Sequence, residues 1–539
     1  MNIFSVLQAG KHPDLTSFFS MQYLVLFFPA ALIFYSVLPN KWKRYGLLLV
    51  SLGFFWLISG TLIVYLLLTA VSIWAFGLWL DKLHRDRDAA VKAAEKAERK
   101  AIKQAFLTRS KWVLALAVCL HIGLLLVLKY AGFFTENVNL LFRSHLTVPK
   151  FVMPIGISFF TMQAVSYLVD VYRQTIPADR NLLRVMLFMA FFPQIVEGPI
   201  CRYGQTAQQL WDVQGIRYEN LTMGLQRILY GLMKKLVVAD RLNAFVEVVF
   251  GNVHDFQGGI VALAAVCYTV QLYMDFSGAM DAVCGTAQIF GVEMPENFRR
   301  PFFSRTVSEF WTRWHISLGA WFKDYIFYPV TMSKSMKNLT SAARKKLGNH
   351  FGPLIAGGIA LFCVWFCNGL WHGAAWNFIF FGMYHFVIIL TGSVIAPWVK
   401  KFHARSHINP EHPVYRLLQI LRTCVLVVIG ELFFRADGVQ NGMILFGRMV
   451  RDFTFPVFDK AMWETLCIDR ADLMIVAVTM LIVFAVSLLN EKGYVVRTEL
   501  KKQKTVVRWA VLYALILYIV IFGAYGHGYV PVNPMYANF

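Results

Sequence analysis

The chain has 539 residues, of which 58% are apolar and only 15% charged. A typical soluble domain carries about 25% charge, so this composition excludes a string of soluble domains and points to a bilayer. The net charge of +21 needs no nucleic-acid partner, because the basic residues sit in short loops between apolar runs, as the positive-inside rule requires.

A spanning helix takes about 20 mainly apolar residues. In chain order the strong candidates are 19–38, 46–60, 62–80, 112–130, 353–370, 373–397, 415–434, 473–490 and 509–526. The first of these lacks a strongly basic flank and a cleavage site, so it reads as a retained helix. Segment 81–111 is Ala-rich and holds ten Lys/Arg against five Asp/Glu. It reads as a solvated cytoplasmic helical hairpin. Segments 151–172, 184–200, 223–250 and 258–292 carry charges, Pro and Gly at membrane depth. Broken, tilted or re-entrant helices are expected there, since such backbone is tolerated only inside protein or along a cavity.

The sum is an all-α polytopic membrane protein with about 11 spanning or embedded helices. Three parts are expected: N-terminal transmembrane helices with the basic hairpin (1–150), a core with re-entrant and amphipathic helices (151–397), and C-terminal transmembrane helices (398–539). The basic segments Lys41–Arg44, Lys334–Lys346, Lys400–Arg405 and Lys501–Arg508 should share the cytoplasmic side. Segment 451–471 has more acidic than basic residues and should lie outside, as should both termini. No internal repeat is visible, which weighs against a transporter. The eight cysteines form neither a disulfide framework nor a zinc spacing, and no metal-ligand cluster is expected.

Ionisable residues in apolar surroundings are costly, so each is a functional candidate. His372 lies in CNGLWHGAAWNF, among Gly369, Gly373, Ala374 and Ala375 and between Trp371 and Trp376. Small neighbours admit a substrate or another helix, and the indoles shield the imidazole from water. A lone histidine in a membrane helix is more often a structural residue, and this setting raises the functional reading to parity. Asn368 stands one turn earlier. A second cluster, SEFWTRWHISLGAWFKDYIFYPV (308–330), offers Arg313, Trp314, His315 and Asp324. Its Trp311, Trp314, His315, Leu318, Trp321 and Phe322 recur at helical spacing. One amphipathic helix is expected, anchored at the membrane surface or capping a cavity. A third, FFPQIVEGPICRYGQ (191–205), breaks a helix beside Glu197, Arg202 and Tyr203. A fourth, DFSGAMDAVCG (275–285), offers Asp275 and Ser277.

These clusters, taken in order with PIGISFFTMQAVSYLVDVYR (154–173), MPENFRRPF (294–302) and FFRA (433–436), resemble the membrane-bound O-acyltransferases. The bacterial branch of alginate O-acetylation proteins is the nearest in style. The resemblance implies a ring of tilted helices around a thin centre, where an outer funnel and a cytoplasmic pocket nearly meet. The family's two histidines carry over onto His372 and His315 as catalytic residues. Trp371, Asn368, Arg202, Tyr203, Trp314, Arg313, Asp324, Asp275 and Ser277 follow as substrate-binding candidates. Three departures put alginate in doubt as acceptor: Ala279 and Met280 before Asp281, TMSKS (331–335) in place of a Gly-Gly, and Cys201 at an aliphatic position.

The implied reaction is acyl transfer in a bacterial cytoplasmic membrane, with no bound cofactor. The donor would be a cytoplasmic thioester, acetyl-coenzyme A or an acyl carrier protein. The acceptor would be a hydroxyl of a cell-surface polysaccharide or peptidoglycan, reached directly or through an SGNH-type extracellular acetyltransferase. A neutral His372 would act as general base. His315 would orient the donor or stabilise the oxyanion, with Arg202 and Trp371 as weaker candidates for the latter. The alternatives are D-alanyl transfer to teichoic acid and a transporter or flippase.

Overall fold

The computed structural model describes residues 13–213 and 215–525. Among these no strand forms; the one isolated bridge pairs Phe298 with Trp314. Eight helices are long and apolar enough to cross a membrane, counting Asn40–Ala93 as one. That segment breaks at Gly60, whose φ of 57° suits glycine, into α2 (Lys43–Ser59) and α3 (Ile63–Ala93). The other seven are α4 (Arg99–Phe142), α10 (Gly258–Ile289), α13 (Lys334–His372), α14 (Trp376–Arg405), α15 (Pro413–Arg435), α17 (Arg470–Glu491) and α18 (Thr505–Phe522). The expected span 19–38 falls on α1 (Gln22–Val37), which is apolar but shorter than the eight. Shorter helices stand between these: α5 (Ile157–Tyr172), α6 (Leu182–Ala190), α7 (Tyr203–Trp211), α8 (Tyr218–Leu232), α9 (Asp240–Gly251), α11 (Val307–Arg313), α12 (Ile316–Phe322) and α16 (Gly438–Arg451).

Two compact units share the chain. One holds the described residues up to Arg227 together with Ala282–Pro295; the other holds Ile228–Asp281 and the described residues from Glu296 onward.

In the first unit, the basic hairpin forms as α3 and α4 run on past their apolar stretches and meet through residues 94–98, where Ala94 N–H donates to Ala90 O at 3.1 Å. Helix α5 is buried on nearly all faces. It starts after Gly156 (φ 75°), where an added Cβ would sit 2.0 Å from Ile195 O, so only glycine admits this approach. The break expected around 191–200 occurs: α6 ends at Ala190 and buried turns follow.

In the second unit, the expected break in 223–250 is a π-helical stretch, Met233–Ala239, between α8 and α9. Of the broken, tilted or re-entrant structure expected in 258–292, the break does not occur. Residues Gly258–Ile289 form one unbroken helix of 32 residues. Its internal Gly278 is a packing position, because a Cβ there would lie 2.9 Å from Gly231 O. The single amphipathic helix expected across 308–330 is also corrected. The chain leaves the helix after Arg313, with His315 at φ 46° and ψ 51°, and resumes at Ile316. Trp314, Trp321, Phe310 and Phe322 are all buried, so this segment is interior structure and not a surface anchor.

Candidate active site

Helix α13 is two helices merged at Gly348 (φ 78°), and its second part ends on His372. Ser333 of the TMSKS segment caps its start, accepting from Met336 N–H at 3.3 Å. After an extended Gly373 the chain turns into α14. The small residues seen in the sequence serve this hairpin. A Cβ on Gly369 would lie 2.6 Å from Phe378 O, and one on Gly382 would lie 2.3 Å from Trp365 O. Small residues let helix backbones close up in this way. His372 is buried against the rings of Trp371 (4.9 Å), Phe434 (5.0 Å) and Phe381 (5.9 Å). Phe434 comes from the FFRA end of α15. Asn377 Nδ2 fixes that end by donating to Phe434 O at 3.2 Å and Ala436 O at 3.1 Å.

His315 is placed by its main chain. Arg299 N–H donates to Arg313 O (2.8 Å) and Ile316 N–H to Asn297 O (3.0 Å). Ser317 N–H donates to Asn297 Oδ1 (2.9 Å), while Asn297 Nδ2 donates to Met280 Sδ (3.0 Å). A non-glycine residue in the left-handed region costs about 1–3 kcal/mol and persists only where its surroundings over-determine it. The MPENF segment supplies that constraint. The imidazole lies edge-on to Phe276 at 4.8 Å and to Trp371 at 5.5 Å. Burial lowers its pKa and keeps it neutral. Trp371 therefore touches both histidines inside the second unit.

Asn368, one turn before His372, is buried, and its Oδ1 has no hydrogen-bond partner among the described residues. An orphaned buried acceptor beside the histidine pair is a ready place for a donor group on a substrate. The other candidates have protein partners. Trp314 packs among Phe298 (5.0 Å), Phe310 (5.4 Å) and Tyr273 (5.9 Å). Arg313 pairs with Glu309 (2.8 Å) and Glu491 (3.2 Å). Asp275 pairs with Lys235 at 2.7 Å, and Ser277 Oγ accepts from Lys234 Nζ at 3.0 Å. Asp324 lies half-buried on a π-helical turn, Lys323–Phe327. Arg202 and Tyr203 belong to the first unit. There Arg202 N–H donates to Gln205 Oε1 at 2.9 Å and Tyr203 Oη donates to Asp179.

Several residues escaped the sequence reading. Lys234 and Lys235 are buried beside three aspartates, with Lys234–Asp281 at 2.5 Å and Lys235–Asp240 at 2.9 Å. Two lysines in an apolar stretch were the signal, because buried cations demand carboxylates. Asn297 and Asn377 act through backbone groups that no side-chain pattern reveals. His385, fully buried on α14, accepts from Trp311 Nε1 at 3.3 Å and touches Phe381 at 4.7 Å, the ring that also meets His372. Among the described residues no group of three His, Cys, Asp or Glu could hold a metal ion.

The sequence model of the membrane-bound O-acyltransferase family matches residues 55–344. Over 462 residues the chain is 29% identical to the "Probable alginate O-acetylase AlgI" of Pseudomonas aeruginosa, which covers 85% of this chain and 77% of that one. It is 29% identical over 363 residues to the peptidoglycan O-acetyltransferase of Helicobacter pylori, covering 62% and 64%. To the teichoic acid D-alanyltransferase of Bacillus subtilis it is 30% identical over 258 residues, covering 46% and 61%.

Proposed function

Because the chain belongs to the membrane-bound O-acyltransferase family and is a multi-pass membrane O-acyltransferase, we propose that it passes an acetyl group from a cytoplasmic thioester to hydroxyls of a cell-surface polysaccharide or peptidoglycan. The observation that carries the mechanism is the pair of buried imidazoles that both contact Trp371. His372 takes the proton as the acceptor hydroxyl oxygen attacks the thioester carbonyl. The new C–O bond forms, the C–S bond breaks, and the imidazolium returns its proton to the departing thiolate. General-base catalysis of this kind contributes about 10²–10⁴-fold. His315 and Asn368 orient the reacting groups, with the Trp371 indole as a donor toward the developing oxyanion. Coenzyme A thioester or an acyl carrier protein supplies the acyl group. The enzyme sits in the bacterial cytoplasmic membrane, and the attacking hydroxyl belongs either to the glycan itself or to an SGNH-type extracellular acetyltransferase that then passes the group to the glycan.

Acetyl transfer is favoured over D-alanyl transfer because the two O-acetylating relatives match more of this chain than the D-alanylating one. The experiment is reconstitution in vesicles with radiolabelled acetyl-coenzyme A inside and acceptor glycan with an SGNH-type partner outside. Alkali-labile label should appear on the glycan, and His372→Gln should abolish it. Label transfer undiminished in His372→Gln would remove the histidine from the chemistry. Transfer of D-alanine but not acetate would replace the donor reading and leave the histidine role standing.

A further inference from the structure

Away from the histidines, α13 and α14 enclose an apolar groove of about 490 Å³. Phe351, Ile355 and Phe362 line it from α13, and Phe386, Leu390 and Val394 from α14. Gly358 also lines it; a Cβ there would make ordinary contact with Leu390 Cδ1 at 3.4 Å, so the position is open to a larger residue. At one end Phe362 meets Phe386 edge-on at 5.6 Å, and beside the other Phe351 leans on Trp398 at 5.6 Å. His350 Nε2 lies 3.1 Å from Ser393 O and ties the two helices there. From Phe351 to Phe362 the helix rises about 16 Å, roughly half of the about 30 Å hydrocarbon core. The groove is about as long as one leaflet is thick.

Its Phe351 end is basic. The corner at Gly348 brings Arg344 so close to Gly352 that a Cβ on Gly352 would lie 2.4 Å from the Arg344 Cα. Arg344, Lys345 and Lys346 therefore stand beside the groove mouth, and all three are exposed. On α14 the face of Leu390 and Val394 continues at helical spacing to Lys401, next to Lys400, and both lysines are exposed. No Asp or Glu occurs from Tyr325 to Pro410 to neutralise them.

We propose that this groove holds one acyl chain of an anionic phospholipid, with its phosphate headgroup on Lys345, Lys346, Lys400 and Lys401. An apolar groove alone takes any lipid chain; the basic mouth selects a net negative headgroup. The site is separate from the histidine pair, and its test is independent of acyl transfer. The purified full chain in mild detergent is titrated with phosphatidylglycerol or phosphatidylcholine and examined by native mass spectrometry. Phosphatidylglycerol should bind more tightly. Replacing all four lysines by alanine should weaken it by about tenfold or more while leaving phosphatidylcholine unchanged. If that variant does not fold, Lys401→Gln alone should weaken phosphatidylglycerol by about fivefold. Gly358→Leu, which fills the groove, should weaken both lipids. Equal binding of the two lipids by the wild-type chain, a headgroup preference that survives the lysine changes, or binding untouched by Gly358→Leu would each overturn the proposal.

Discussion

The two histidines in contact with Trp371 are held in opposite ways. His372 ends a helix, and packing fixes it: glycines let α13 and α14 close up, and the FFRA end of α15 sets Phe434 against its ring. His315 sits where a helix is interrupted, and main-chain bonds to the MPENF segment fix it in a left-handed conformation. A packed position tolerates loss of any single neighbour in proportion to the contact removed. A conformation held by a few hydrogen bonds depends on each one. The difference ranks the expected outcomes of substitution.

The largest effect belongs to His372 itself. His372→Ala should lower acyl transfer by about 10²–10⁴-fold, or about 3–5 kcal/mol in the transition state, with detergent stability near wild type. The readout is turnover in vesicles beside a thermal melt. A variant that loses activity only by unfolding would return His372 to a structural role. His315→Ala should cost less, since a residue that orients the donor supplies no proton transfer.

Asn297→Ala comes next and tests the hydrogen-bonded arm of the comparison. It leaves Ser317 N–H without its 2.9 Å acceptor, at about 1–3 kcal/mol for a buried donor. Turnover should fall by about tenfold, because the left-handed backbone at His315 relaxes. A double-mutant cycle separates positioning from bulk stability: once His315 is alanine, adding Asn297→Ala should cost turnover almost nothing. Additive losses would mean that Asn297 supports the fold at large and not His315.

How much of this could be read from the sequence follows from the same contrast. The hairpin around His372 was legible, because a histidine among glycines and indoles is a local pattern and local patterns survive folding. The break at His315 was not, because the aromatic spacing of 308–330 fits a continuous helix and the competing partner is the backbone at Asn297, eighteen residues earlier in the chain. In α10 the error ran the other way. The glycines and charges of 258–292 read as a disturbed segment, yet Gly278 serves a close approach to Gly231 inside an unbroken helix. Asp275 and Ser277 read as substrate-binding candidates, and the pairing of Asp275, Ser277 and Asp281 with the buried Lys234 and Lys235 could not be read beside that. Pairing partners lie in tertiary space, and one strand of sequence cannot show both sides.

The smallest expected effect is at Arg313, two residues before His315, which the motif alone marks as a substrate ligand. Its guanidinium is instead shared between Glu309 and Glu491, and Glu491 also receives Arg300 at 2.6 Å. Removing Arg313 leaves Glu491 its second partner and leaves Glu309 accepting from Arg305 N–H at 2.9 Å, so no carboxylate is stranded. The Arg313 and Glu491 side chains are 20% and 32% exposed, where screening holds such pairs to about 0–1 kcal/mol. Arg313→Ala should therefore lower the melting temperature only slightly and leave turnover within about fivefold of wild type. The turn at His315 should survive, because it hangs on the Arg313 carbonyl, which alanine keeps, and not on the guanidinium. A loss of about a hundredfold with an unchanged melt would reverse this reading. Arg313 would then touch the substrate, and the acidic pair would be its resting place between turnovers.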